Sequence, residues 1–204
     1  MAVCCPADLD TRLLRREIQS IYARVATAPA GDFHFHRGPA YAAAMLGYDA
    51  AALAALPDDC TASFAGVANP HRIAPLRVGA TVVDIGCGAG MDLLLAAQAV
   101  GATGRAIGVD MTEAMADRAR AGAHALGLSH VDVRTGDALD LPIASNSADA
   151  VMSNGVLNLT PDKRQAYGEV FRVLKRGGEF LYGDIIISQE LSESARRNID
   201  LWTG

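Results

Sequence analysis

The chain has 204 residues, 50% of them hydrophobic and 20% charged, with a formal net charge of −5. That length suits one domain with an appendage, and the composition is that of an ordinary globular protein rather than a disordered one. The acidic balance and the lack of any Lys/Arg cluster long enough to track phosphates argue against nucleic acid as a partner, and Arg12, Arg15 and Arg16 read as a solvated helix face.

No apolar run reaches the roughly 18 residues needed to cross a bilayer, so a membrane is not expected as a partner either. The start, Met1 to Asp8, lacks the basic and apolar stretches of a signal peptide, which points to a cytoplasmic location. The four cysteines, Cys4, Cys5, Cys60 and Cys87, fit a reducing compartment better than a disulfide framework.

From Leu9 to Val25 the apolar residues Leu13, Leu14, Ile18, Ile21, Tyr22 and Val25 recur at the spacing of an amphipathic helix, with Asp8 or Asp10 as its cap. The segment ends near Ala28-Pro29-Ala30-Gly31. In Asp32 to Gly38, an extended backbone sets Phe33 and Phe35 on one face and His34 and His36 on the other. Two imidazoles on one face suit a metal, but no third ligand stands nearby, so no metal is expected. His34 and His36 remain candidates for facing a substrate or for plain exposure. Residues 40–56 are alanine-rich and read as helix broken at Gly47, and Pro57-Asp58-Asp59 starts a loop. Cys60 to Pro70 has weak periodicity.

Strand and helix then alternate: strand 81–86, helix 91–100, strand 105–110, helix 112–126, strands 131–136 and 148–153, helix 161–174 and strand 179–187, with Gly177-Gly178 turning into the last. Short links between such elements give an α/β fold, a Rossmann-like parallel sheet covered on both faces. Residues 1–75 form a helical N-terminal extension ahead of this core, which takes in 76–204. Ser188 to Gly204 read as one helix.

The first strand carries the chemistry. Thr81-Val82-Val83-Asp84-Ile85 runs into Gly86-Cys87-Gly88-Ala89-Gly90, and the helix that follows, with Leu93, Leu94 and Leu95, is almost free of charge. Glycines there let the backbone bend, approach a ligand without a Cβ in the way and aim a helix N-terminus at it. The dinucleotide pattern G-x-G-x-x-G needs a third glycine where Met91 stands, which argues against a dinucleotide oxidoreductase. About 20 residues on, at the distance expected of a ribose-binding acid, a second strand ends in Asp110. Right-handed crossovers bring both to the carboxyl edge of the sheet.

Asp84-x-Gly86-x-Gly88-x-Gly90, Gly108-Val109-Asp110-Met111-Thr112, Gly136-Asp137-Ala138 and Leu139-Asp140-Leu141-Pro142 follow in order, from about Leu76 to Ile187. Together they resemble the successive motifs of class I S-adenosylmethionine-dependent methyltransferases. The resemblance implies S-adenosyl-L-methionine as cofactor, with Asp84, Gly86, Cys87, Gly88 and Gly90 beneath its methionine part and Asp110 on its ribose. It further implies Met111 on the adenine, Asp137 and Ala138 at the adenine edge and Asn154 beside the methionine. In similar methyltransferases a segment such as 9–25 folds over the cofactor as a lid, which makes Tyr22 a substrate candidate, with core packing as its other reading.

Asn154-x-Val156-x-Asn158-Leu159-x-Pro161-Asp162-Lys163 resembles the arsenite-methyltransferase group more closely, and Asn158 joins the substrate candidates, with turn satisfaction as its other reading. That group carries one metalloid thiolate in a Gly-Cys-Gly-Asn-Pro run and another after the first asparagine of this stretch. Here those positions hold Val67 and Gly155, so the expected acceptor is an organic small molecule. Two other readings stand beside it: a metalloid methyltransferase using Cys4, Cys5 or Cys60, and a cofactor-binding protein without turnover. No catalytic residue stands out, although Asp92, His34 and His36 are candidate bases, Asp92 having helix capping as its alternative. The resemblance also implies two strands after the fifth, and none can be read in 188–204. The core is therefore expected to be shortened, leaving 179–187 as an open edge for a second copy of the chain.

Overall fold

The computed structural model describes residues 10–29, 31–33, 35–186 and 192. Among the described residues α-helices come first: α1 (Thr11–Thr27), α2 (Gly38–Leu46), α3 (Ala50–Ala54) and α4 (Asp58–Thr61). The alternating part follows as β1 (Thr81–Ile85), α5 (Met91–Val100), β2 (Arg105–Asp110), α6 (Glu113–Ala125), β3 (Val131–Thr135), β4 (Ala148–Asn154), α7 (Lys163–Val173) and β5 (Leu174–Gly183). All neighbouring strands are parallel, in the order β3-β2-β1-β4-β5. The order reverses between β1 and β4, and a cleft opens above their carboxyl ends, the usual ligand edge of such a sheet.

β1 and β4 are buried because both faces of the sheet are covered. Val82, Val83 and Val151 are fully buried, and the packing of Val83, Ile85 and Ile107 with Val170 and Val173 forms the core on the α7 side. On the other side Val82, Ala96, Val100 and Met152 pack together. Each such Val, Leu or Ile contributes roughly 1.5–3 kcal/mol by leaving water. α5 buries nearly its whole circumference, as its lack of charge requires.

The N-terminal helices follow local rules. Asp10 caps α1, its Oδ1 accepting from Arg12 N and Leu13 N at 3.0 Å each. Gly47, left-handed at φ 71°, ends α2, and Asp49 caps α3. Phe33 and Phe35 do share a face, with ring centroids 5.7 Å apart.

Two expectations need correction. Pro57-Asp58-Asp59 does not begin a loop: Pro57 is the N-cap of α4 and the two acids form its first turn, where negative charge is favoured by the helix dipole. Gly177-Gly178 is not a turn ahead of the last strand but lies within β5, which starts at Leu174 and stops at Gly183. The register with β4 shifts between Ala148 and Ala150, so the extra residues are absorbed as a bulge, and Gly177 at φ 78° takes the conformation the bulge demands. The helix read in 188–204 lies outside the described residues, Ser192 excepted.

Candidate functional site

At the end of β1 the backbone turns through positive φ at Gly86 (70°) and Gly88 (54°). A Cβ on Gly86 would stand 2.4 Å from Val156 Cγ2, whereas one on Gly88 would meet nothing within 4 Å. Gly86 is therefore required by the β4 loop leaning on it, and Gly88 presents bare backbone to open space. Gly90 differs from both. It is the N-cap of α5 and faces α6, where a Cβ would sit 3.0 Å from Ala119 Cβ.

Asp110 closes the turn from the neighbouring strand. Its Oδ2 accepts from Gly88 N at 2.9 Å and its Oδ1 from Thr112 N at 2.8 Å, so the carboxylate is aimed by two backbone donors. Burial pushes its pKa up and those hydrogen bonds pull it back.

A cavity of about 350 Å³ opens over this turn. Of the residues singled out in the sequence, Asp84, Gly86, Cys87, Gly88, Asp110, Met111, Asp137, Ala138, Asn154 and Tyr22 all line it. Gly90, His36 and Asn158 do not. His36 stacks on Tyr41 instead, centroids 5.2 Å apart. With its amide nitrogen facing the acceptors, Asn158 donates to Asp184 Oδ1 at 2.6 Å and Gly155 O at 3.2 Å, which is the turn-satisfying role. His34, Cys4 and Cys5 lie outside the described residues.

Four carboxylates, Asp84, Asp92, Asp110 and Asp137, face the cavity. Asp84 is buried, its Oδ2 has no partner among the described residues, and burial followed by the charges of Asp92 and Asp110 pushes its pKa well above the ordinary carboxyl range. A buried acceptor of this kind is costly unless a cation or donor arrives.

Asp92 does not cap α5. It is buried and collects three partners: Tyr48 Oη donates to Oδ1 at 2.7 Å, His71 Nε2 lies 3.1 Å from Oδ1, and Asn154 Nδ2 donates to Oδ2 at 3.0 Å. Asn154 also accepts from Val67 N (2.8 Å) and Ala68 N (3.0 Å) and donates to Ala68 O (2.8 Å). The loop over the cavity is thereby tied to the ends of β4 and α5. Burial, then the charge of Asp92, raises the Tyr48 pKa, which keeps it a donor. Tyr48 and His71 were not singled out in the sequence; Tyr48 lies in the link between α2 and α3, and nothing local marks either residue.

α1 forms one wall. Arg15 is ion-paired to Asp137, Gln19 Nε2 donates to Met111 O at 2.9 Å, and Tyr22 sits above the turn, its pKa pushed up to about 12 by burial and then by Asp110. Tyr22 also stacks on Phe35, centroids 6.2 Å apart, so it packs in the core while lining the cavity.

Val67 and Gly155 meet. A Cβ on Gly155 would stand 3.4 Å from Val67 Cγ1, so the two positions where the resemblance places thiolates are neighbours here and offer no sulfur. Cys60 also reaches the cavity, its thiol raised to about 11 by burial and then by Asp59.

The geometry can be set beside known proteins. Residues 76–203 match the family model described as a methyltransferase domain. The chain is 34% identical over 211 residues to an arsenite methyltransferase of Halobacterium salinarum, covering 97% of this chain and 54% of that protein. An arsenite methyltransferase of Mus musculus is 30% identical over 207 residues, covering 96% and 54%. The solved structure of an arsenic(III) S-adenosylmethionine methyltransferase from Chlamydomonas reinhardtii superposes with a TM-score of 0.66 at 34% identity, covering 74% of this chain and 53% of that one. The chain thus spans about half the length of the curated relatives it matches. No helix among the described residues is long and apolar enough to cross a membrane. A family match across the whole α/β part, over a glycine turn closed by Asp110, places this chain in the methyltransferase domain family, with the class I S-adenosylmethionine-dependent methyltransferase fold.

Proposed function

We propose that this chain binds S-adenosyl-L-methionine over the 86–90 turn and transfers its methyl group to a small organic molecule. The observation that carries the reading is the Asp110 carboxylate, aimed by Gly88 N–H and Thr112 N–H at the mouth of the turn. Each oxygen keeps a lone pair for a ribose hydroxyl.

The residues present fit that cofactor. Asp84 Oδ2 is a buried acceptor with no partner among the described residues, suited to the cationic end of the methionine part, and Gly88 leaves room for close approach. Met111, Asp137 and Ala138 lie where an adenine would follow a ribose held by Asp110, and Asn154 stands beside Asp92 at the methionine end. The cofactor supplies an activated methyl on a sulfonium, and the hard chemistry belongs to it. This chain's part is to hold donor and acceptor in line at about 3–3.5 Å.

Residues 1–75 act as the covering extension in this reading, and 76–204 as the binding core. Metalloid transfer would draw on Cys60, whose thiol is held protonated, and on the terminal pair Cys4 and Cys5. No sulfur at Val67 or Gly155 favours it. A cytoplasmic setting suits the thiols, and self-association along the 179–187 edge suits the place of β5 as an outer strand of the sheet.

The test is calorimetric titration with S-adenosylhomocysteine, followed by a radiolabelled methyl-transfer screen over small organic acceptors and arsenite. Binding that survives Asp110→Ala overturns the cofactor assignment. Binding without transfer to any acceptor favours a carrier without turnover.

A further inference from the structure

Two residues of the cavity wall each carry a buried polar atom with no partner among the described residues, Asp84 at Oδ2 and Ser63 at Oγ. The first is an acceptor suited to a cation, and the reading above gives it to the methyl donor. The second is a hydroxyl, 4% exposed, on the turn after α4 that roofs the site. Several other polar side chains of the wall are already engaged. Thr160 Oγ1 donates to Leu157 O at 2.7 Å, Asn154 Nδ2 is shared among Asp92, Ala68 O and Tyr48 Oη, and Cys60 Sγ lies 3.7 Å from Arg118 O. A buried hydroxyl left unpaired costs free energy, and one in a cavity wall is satisfied when a ligand brings a polar group to it.

The wall also restricts charge. Its acids are Asp84, Asp92, Asp110 and Asp137, and its cations are Arg12 and Arg15, both on the exposed side of α1, with Arg15 committed to Asp137. An anionic acceptor entering here would lose its hydration and meet like charge. A neutral nucleophile does not. When its lone pair takes the methyl, the positive charge of the sulfonium passes to the product and stays beside the same carboxylates. Phe64, Val156, Leu159 and Pro161 add an apolar surface for the body of such a molecule.

We propose that Ser63 anchors the methyl acceptor and that the acceptor is a small uncharged amine on an apolar, aromatic-sized body. Ser63 Oγ accepts one N–H of the amine, which leaves the nitrogen lone pair free to point at the methyl group. The N–C bond forms as the S–CH₃ bond breaks, the sulfur keeps the bonding pair and becomes a neutral thioether, and the nitrogen becomes a methylammonium. Its proton goes to solvent on release, so no side chain need act as base.

This inference rests on the methyl-transfer reading, and the experiment separates the two. The probes are aniline and 4-aminobenzoate, assayed with labelled S-adenosylmethionine on the full chain, with S-adenosylhomocysteine titrated alongside. We expect aniline to be methylated and kcat/KM for 4-aminobenzoate to be at least tenfold lower. Ser63→Ala should lower kcat/KM for aniline about tenfold, mainly through KM, while the Kd for S-adenosylhomocysteine stays within twofold. Its melting temperature should be equal to or above that of the unmodified chain, because an unpaired hydroxyl is removed. The proposal is overturned by preference for 4-aminobenzoate, by an unchanged aniline kcat/KM in Ser63→Ala, by equal weakening of S-adenosylhomocysteine, or by no aniline transfer in a chain that binds S-adenosylhomocysteine. Failure to bind S-adenosylhomocysteine at all removes the methyl-transfer reading and this one with it.

Discussion

Asn154 Nδ2 donates to Asp92 Oδ2 at 3.0 Å, joining the last residue of β4 to the first turn of α5 across the mouth of the cavity. The same asparagine accepts from Val67 N and Ala68 N, so one side chain holds the roofing loop, the strand end and the helix start in a fixed relation. A ligand seated between them meets a wall already organised.

Asn154→Ala should therefore act on stability and on binding together. Val67 and Ala68 would each lose the acceptor of their N–H, and stranded donors cost roughly 1–3 kcal/mol apiece, for a loss of about 2–4 kcal/mol after partial relaxation. Urea unfolding of the variant and the parent reads this directly. An unchanged midpoint would mean that the loop does not depend on this side chain.

Asp110→Ala removes the aimed carboxylate but leaves the core around it intact. Hydrogen bonds to a charged group are worth roughly 1.5–3 kcal/mol, so affinity for S-adenosylhomocysteine should fall by at least about tenfold. Calorimetry on both proteins gives the ratio.

Asp84 has a pH signature of its own. Burial raises its folded-state pKa above the ordinary value of 3.8. A carboxyl raised in this way contributes stability below the unfolded value, and that contribution is lost as pH climbs towards the folded one. At neutral pH its ionisation works against the unliganded fold. Asp84→Asn should thus stabilise the unliganded chain by on the order of 1–3 kcal/mol at pH 7, with little effect at pH 3, while weakening S-adenosylmethionine binding. Thermal melts at the two pH values, with and without ligand, check all three parts.

Arg15 and Gln19 hold α1 against Asp137 and Met111 O. The arginine is 51% exposed at its side chain, so the ion pair should contribute no more than about 1 kcal/mol. Arg15→Ala is expected to speed amide hydrogen exchange in α1 several-fold and leave exchange in β1 and β4 unchanged. Equal acceleration everywhere would show global destabilisation rather than a local latch.

The parts of this molecule that obey local rules were legible in the chain itself. Alternation of buried strands with periodic helices gave the parallel sheet, because burying both faces demands continuous apolar runs such as Val82-Val83 and Val151-Met152. The glycine turn and Asp110 were legible too, since a β-branched run that stops at an acid and alternating glycines has few other uses. β5 was misread at its start because Gly177-Gly178 looks like a turn, and only the partner strand's register reveals a bulge.

What tertiary structure alone decided is the second layer of the site. Tyr48 reaches Asp92 across 44 residues of chain, Asn154 reaches Asp92 across 62, and Asn154 meets Tyr48 across 106. No periodicity or spacing encodes such meetings. A side chain's local pattern states which face it occupies, whereas its hydrogen-bond partner depends on which other face the folded sheet brings against it. The same holds for Ser63, an ordinary loop serine by sequence, whose hydroxyl is left without a partner among the described residues only once α4 and the 60–66 turn close over the carboxyl edge of the sheet.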